Sequence, residues 1–408
     1  MNSVASPFDP IQIGPITLRN RFVKSGANEA MTYEGGPSKA LLKHHQELAH
    51  GGVGMTTVAY GAVSKLGRTL ANQIWIRPEI LPDLKALTDA IHGGGAKASM
   101  QITHGGSFVT ALKVDGPTMS ASGGINKAGL MIGNYLRRTM NEADMQQVID
   151  EFVAAAEICR EAGFDAVEIH MGHGYLLNQF ISPLDNKRRD QYGGSAENRV
   201  RFPARVLSAV KAAVGQDLAV IAKINVADGV PGGATAEDGV VTAKALEAAG
   251  ADMLVLSGGR NVESTWFMFG SNMNVPAMNK VLSHSWTMRT MFKLACMSAP
   301  KVTFHEMYLL EHSRKIRAAV KLPLGFLGGV NSLASAEAAL KEGFNCVVMA
   351  RALIHDTALI NKFRSGELAR SGCTSCNACV AQIYDPAGTR CVLNAENDPA
   401  LNLQRASA

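Results

Sequence analysis

Along the chain, short runs rich in apolar and β-forming residues alternate with longer stretches in which apolar residues recur every three or four positions. The short runs fall at residues 21–25, 55–59, 97–103, 166–169, 219–224, 253–256, 324–327 and 346–349. Runs of this length and composition, continuously apolar at 253–256 and 346–349, suit strands. Helical periodicity fills stretches such as 82–92, 143–162, 196–214, 236–249, 306–320 and 332–342. Eight strands with helices between them predict an α/β fold of the closed (β/α)8, or TIM-barrel, type. The rival, a doubly wound sheet, would usually carry Gly-x-Gly-x-x-Gly after its first strand, and the chain has none.

Two stretches break the alternation. Residues 107–138 are rich in Gly, Ser and Pro, and are expected to form a loop excursion after the third strand. Residues 261–300 hold Trp266, Phe267, Phe269, Trp286 and many methionines. As an insertion on the barrel's C-terminal face they suit either a pocket wall or lid, or a packing extension. The chain thus divides into a barrel over 1–360 and a cysteine-containing extension over 361–408.

Composition narrows the class without naming a function. Of 408 residues, 47% are hydrophobic and 18% charged, which describes a globular protein with a large core. The net charge of +5 comes from 40 basic residues scattered among 35 acidic ones, so no nucleic-acid footprint is expected. The opening MNSVASPFDPIQIG lacks a signal peptide's apolar centre, and no run reaches the ~18 apolar residues of a membrane span. Seven cysteines, an odd number, include Cys159, Cys296 and Cys346 in apolar settings expected to be buried. Together these point to reduced thiols in a cytoplasmic protein.

The chemistry concentrates in EIHMGHGYLLNQFISPLDNKRRDQYGGSAENR, residues 168–199. His170 closes the fourth strand, at the end where barrel enzymes place their active sites, and His173 lies just beyond. Two imidazoles so placed can donate hydrogen bonds to one ligand oxygen and stabilise charge developing on it. Tyr175, with an ordinary pKa of roughly 10, can deliver a proton to a carbanion-like carbon. The pair could instead be zinc ligands, but no His-Glu-x-x-His pattern or nearby third ligand accompanies it, or simply structural residues.

This stretch, extended back to Gly163, resembles the signature of the Old Yellow Enzyme family of FMN-dependent oxidoreductases. FDPIQIGPITLRNRFVKS resembles the family's opening strand, QITHGG its third-strand end, and LGFLGGVNSLASAEAALKEGFNCVVMARALIHD its phosphate end. The similarity covers most of residues 8–360. It implies that His170 and His173 hold a substrate's carbonyl, or the nicotinamide amide, over the flavin, with Tyr175 as proton donor. It places Ser25, Gly26, Ala27 and Asn28 along the flavin, with Tyr60 and Gln101 also touching the ring. Gly328, Gly329, Ala350 and Arg351 would cradle the FMN phosphate. Glycines there let backbone N–H groups approach an anion, and arginine offers a bidentate fork. NADH or NADPH would be the reductant and a small molecule the substrate; membership leaves the oligomeric state open.

The chain departs from the pattern in four places. Lys223 stands where the family usually has arginine at the end of the fifth strand. It keeps a cation for the reduced ring but loses the fork. Asn28 replaces the more usual Cys, Thr or His, and Ser107 a frequent Arg. Cys373, Cys376, Cys379 and Cys391 form a Cys-x2-Cys-x2-Cys-x11-Cys array. It resembles the cluster segment of 2,4-dienoyl-CoA reductases and trimethylamine dehydrogenases, one residue shorter in its middle spacing. Such thiolates can ligate a [4Fe–4S] cluster or zinc, or stand as unligated thiols, and all three readings stay open.

The leading expectation is an ene-reductase that reduces an activated C=C bond, with Tyr175 protonating the α-carbon. A flavin-dependent dehydrogenase of an amine or related substrate, passing electrons through the cysteine site, is the alternative. A metal-dependent aldolase or isomerase on the same barrel would need a carboxylate-rich metal set that the strand ends lack.

Overall fold

The computed structural model describes residues 5–109, 113–215, 217–282, 285–385, 388–394 and 404–407. Eight parallel strands close a barrel: β1 (Phe22–Lys24), β2 (Met55–Ala62), β3 (Lys97–Thr103), β4 (Ala166–Met171), β5 (Ala219–Asn225), β6 (Met253–Ser257), β7 (Leu324–Phe326) and β8 (Cys346–Met349). Each pairs with its sequence neighbours, and β8 returns to β1 through Val348 opposite Val23. The sequence-based strands lie within two or three residues of these limits.

Between the strands run α1 (Lys39–His50), α2 (Leu81–Gly93), α3 (Glu142–Glu161), α4 (Ala196–Val214), α5 (Ala236–Ala248), α6 (Leu310–Arg317) and α7 (Leu333–Lys341). Five open on a side chain that accepts an otherwise unpaired first-turn N–H: Ser38, Asn141, Ser195, Thr235 and Ser332. The helix expected over 306–320 is shorter, because residues 301–309 run irregularly and the chain leaves helical geometry after Ala318.

Two apolar clusters fill the barrel. The larger lies between strands and helices. The smaller lies inside and joins Ile13, Ile16 and Leu18 of an N-terminal hairpin to the first interior positions of the strands, among them Ala166, Ala219, Met253 and Cys346. The hairpin therefore plugs the N-terminal end. Because side chains alternate along a strand, the same interior phase leads from Ala166 to Glu168 and His170, from Ala219 to Lys223, and from Met253 to Ser257. The interior thus turns from apolar to polar toward the C-terminal rim.

The 107–138 stretch is more ordered than expected. It carries a small sheet of Thr118–Ser120, Leu136–Thr139 and Gly124–Ile125 around a 3-10 turn. Its strands are too short for period-two patterning to register. Residues 261–300 form three helices, Thr265–Phe269, Val275–Val281 and Trp286–Ser298. Cys159 and Cys346 are buried as expected, but Cys296, on the last of these helices, is only half-buried. Beyond helix Leu359–Ser365 the extension lies back on the barrel: Ser371 N–H donates to Asn331 O, and Thr389 N–H to Glu29 O.

Candidate active site

The floor of the C-terminal mouth is a buried polar set. Lys223 Nζ on β5 sits 2.9 Å from Glu168 Oε1 on β4, and Gln101 on β3 donates to the same carboxylate oxygen. Lys223 also donates to Ser25 Oγ at 3.2 Å and to Gly26 O at 3.1 Å. A Cβ at Gly26 would lie 2.6 Å from Gln101 Nε2 and would displace that amide. Beside this set Lys24 pairs with Glu29 and donates to Thr57 O, while Glu29 Oε2 accepts the Ala59 N–H. Lys24 holds Glu29 down at about 2 despite its burial.

Above the floor stand the two histidines. His170 is buried, and its ring meets that of His173 edge-on with centroids 4.9 Å apart. His173 adopts φ +59°, an uncommon left-handed conformation for a non-glycine residue. It is fixed from both sides: its N–H donates to Asn225 Oδ1 at 3.2 Å, and its carbonyl accepts from the Asn261 backbone and side-chain amides. Burial lowers the affinity of both rings for a second proton, His170 strongly and His173 to about 3, with Lys223 adding to the effect. Both are therefore neutral at ordinary pH.

Tyr175 packs its ring 4.5 Å from His170 and 5.4 Å from Tyr60. Burial pushes its hydroxyl well above the ordinary phenol range, so it holds its proton. Tyr60, at the irregular end of β2, meets Thr69 Oγ1 at 2.7 Å. Asn28, Tyr60, Gln73 and Tyr384 line a cavity of about 910 Å3. Asn28 itself uses its side-chain oxygen on the Ala30 N–H and its carbonyl on Thr389 Oγ1.

Gly328 and Gly329 follow β7, and Ala350 and Arg351 follow the adjacent β8. Gly329 has φ +82°, which a side chain would strain. Arg351 does not stand free: it donates to Asn377 Oδ1 at 2.6 Å and Phe269 O at 2.8 Å, and lies over the Phe304 ring. Asn377 belongs to the cysteine segment. Cys373, Cys376, Cys379 and Cys391 line one small cavity together with Arg351. Among the described residues no three His, Cys, Asp or Glu groups converge closely enough for a single metal ion.

These features suit a flat heteroaromatic ring bearing a phosphate tail: a ledge at Gly26 without a side chain, a cation beneath it, and a tight glycine turn on the far rim. The sequence reading found His170, His173, Tyr175, Gln101 and Lys223 together at this mouth. It missed Glu168, Ser257, Asn225 and Asn261. An acid in the interior phase of β4, two residues before His170, was the readable sign for Glu168; the asparagines gave none.

The fold and mouth define a flavin oxidoreductase barrel. The chain belongs to the NADH:flavin oxidoreductase / NADH oxidase family, whose model matches residues 6–266. FMN and a nicotinamide nucleotide are the cofactors this membership brings. A 4,4'-dithiodibutanoate disulfide reductase from Rhodococcus erythropolis is 40% identical over 395 residues, 95% of each chain. An NADH oxidase from Thermoanaerobacter brockii is 30% identical over 397 residues, 95% of this chain but 55% of that one. The chain spans about half the length of that and several other relatives. Among solved structures, an old yellow enzyme homologue from Zymomonas mobilis superposes with a TM-score of 0.72 at 20% identity, covering 97% of this chain and all of the other. A 2-naphthoyl-CoA reductase complex gives 0.75 at 24% identity, covering 94% and 58%.

Proposed function

We propose that this enzyme reduces the C=C bond of α,β-unsaturated carbonyl or similarly activated compounds. The observation that carries this reading is the grouping of two neutral imidazoles with a protonated, buried phenol on one side of the mouth. FMN, when bound, supplies the hydride, having taken it from NADH or NADPH. His170 and His173 hold the substrate's oxygen by N–H donation, which makes the β-carbon electrophilic and stabilises the enolate oxygen. Tyr175 then gives its proton to the α-carbon. In this reading residues 25–28, Tyr60, Gln101 and Lys223 frame the ring, and Gly328, Gly329, Ala350 and Arg351 take the phosphate. Arg351 would have to share or exchange its hold on Asn377.

The four cysteines border one small cavity with Arg351, and the resemblance of their spacing to that of cluster-bearing relatives supports a [4Fe–4S] cluster there. The chain is then organised as an FMN-binding barrel over 1–360 and a cluster-bearing extension over 361–408.

A second reading, disulfide reduction, is favoured by the 40% identical relative of equal span. Hydride to one sulfur breaks the S–S bond, and the departing thiolate takes a proton from Tyr175 or water. Steady-state NAD(P)H oxidation with cyclohexenone, with an aliphatic disulfide, and with neither separates the two. Turnover of the enone supports the first reading; turnover of the disulfide alone supports the second.

A further inference from the structure

The cation beneath the ledge is already neutralised. Lys223 donates to Ser25 Oγ and Gly26 O, at 3.2 and 3.1 Å, and its ammonium stands 2.9 Å from Glu168 Oε1 as an ion pair. Lys223 and Glu168 are both almost fully buried, so no solvent screens the pair. Gln101 fixes the carboxylate from the neighbouring strand. An arginine would have five N–H groups and could keep its acid while still reaching a ligand. Lysine, with three, spends two on Ser25 and Gly26 and pairs its charge with Glu168. A bound ring therefore meets an ammonium whose charge is already offset.

We propose that Glu168 is a positioning residue that sets the reduction potential of the bound flavin, by offsetting the charge of Lys223 and holding its ammonium away from the ring. This rests on the FMN reading above. Two-electron reduction of FMN with uptake of one proton leaves a negative charge on the ring. A lysine paired with a carboxylate presents that charge with a dipole, and an unpaired lysine presents it with a full cation. Removing the Glu168 charge must therefore favour the reduced form, both by deleting a nearby anion and by freeing the Lys223 ammonium from its ion pair. The second buried pair, Lys24 with Glu29, is likewise neutral overall and does not supply the missing positive charge.

The test is spectroelectrochemical titration of the holoenzyme and its Glu168→Gln variant, which keeps the side chain's shape and an acceptor for Gln101. The expected result is a ratio of reduced- to oxidised-FMN affinity at least tenfold higher, a rise of about 30 mV for a two-electron couple. If Glu168→Gln does not retain flavin, Glu168→Asp is titrated; it keeps the charge but draws it back from Lys223, and a smaller rise is expected. An unchanged or lower potential in the flavin-retaining variant overturns the proposal. A wild-type protein that takes up no FMN overturns the underlying reading instead, and is seen before any variant is titrated.

Discussion

Nε2 of His170 lies 3.2 Å from Nδ1 of His173, and Nε2 of His173 lies 2.7 Å from Ser257 Oγ. The Gly172 N–H donates to His170 Nδ1 at 3.2 Å, so in the neutral ring the proton sits on Nε2, facing His173. His173 Nδ1 then accepts, and its Nε2–H donates to Ser257. A serine hydroxyl works equally well in reverse. When it donates to Nε2, His173 carries its proton on Nδ1, and both rings can donate to one oxygen placed between them. In the proposed reading, Ser257 is the group that lets the pair act as a clamp.

Replacing either donor should weaken that clamp. We expect His170→Ala and His173→Ala each to lower the rate of enone reduction by a factor equivalent to ~3–4 kcal/mol of transition-state stabilisation. The measurement is kcat/KM on a series of enones, with phenol binding followed by perturbation of the flavin spectrum. Unchanged values for both variants would remove the clamp.

Acid should harm this protein before its carboxylates titrate. His104 is buried and held at about 4, chiefly by burial, and His170 is held well below its ordinary value. Both are lowered in the fold, so the unfolded chain binds the extra protons. Stability is full above about pH 6.5 and is lost as pH falls toward the folded values. At pH 5 the loss is roughly 2 kcal/mol for His104 alone. Thermal melts from pH 8 to 5 check this; a Tm independent of pH across that range would contradict it. In the same window the pH profile of turnover should lack an imidazole limb from the clamp.

A proton donor matters only after hydride has left the flavin. Tyr175→Phe keeps the ring contacts with His170 and Phe108. FMN content and flavin reduction by NAD(P)H should therefore stay close to wild type in stopped flow, while reoxidation by an enone slows markedly. Nitroalkenes should suffer less, since a nitronate leaves without needing a proton on carbon. Equal slowing of both half-reactions would mark the tyrosine as structural.

The cysteine ring makes its own prediction. Anaerobically purified protein should contain iron and acid-labile sulfide in equal amounts, and Cys376→Ser should reduce both without removing FMN. Zinc in place of iron would make the four cysteines a zinc site instead, and neither metal would return them to plain thiols.

The barrel was legible because its strands are short β-forming runs, some of them wholly apolar, and its helices are periodic. Five helix starts carry the side chain that the cap requires, Ser195 before α4 being one. The grouping at the candidate site was legible through His170 and Tyr175, because strand phase puts His170 inside and the motif places Tyr175 beside it. The supporting residues were not. Ser257 ends an ordinary apolar strand, and Asn225 and Asn261 act through contacts with His173 made 52 and 88 residues away along the chain. The tie between Arg351 and Asn377 joins the phosphate rim to the cysteine segment across 26 residues, and neither pattern nor spacing announces it. The small sheet within residues 107–138 was missed for a different reason: strands of two to four residues carry no periodicity.

The most direct measurement of the central claim is a single-turnover experiment. Holoenzyme reduced anaerobically with one equivalent of NAD(P)H is mixed with cyclohexenone, and flavin absorbance and product are followed together. The account predicts that oxidised flavin returns in step with one equivalent of cyclohexanone. Flavin that stays reduced with enones across a range of sizes, yet reoxidises rapidly with an aliphatic disulfide, would contradict it.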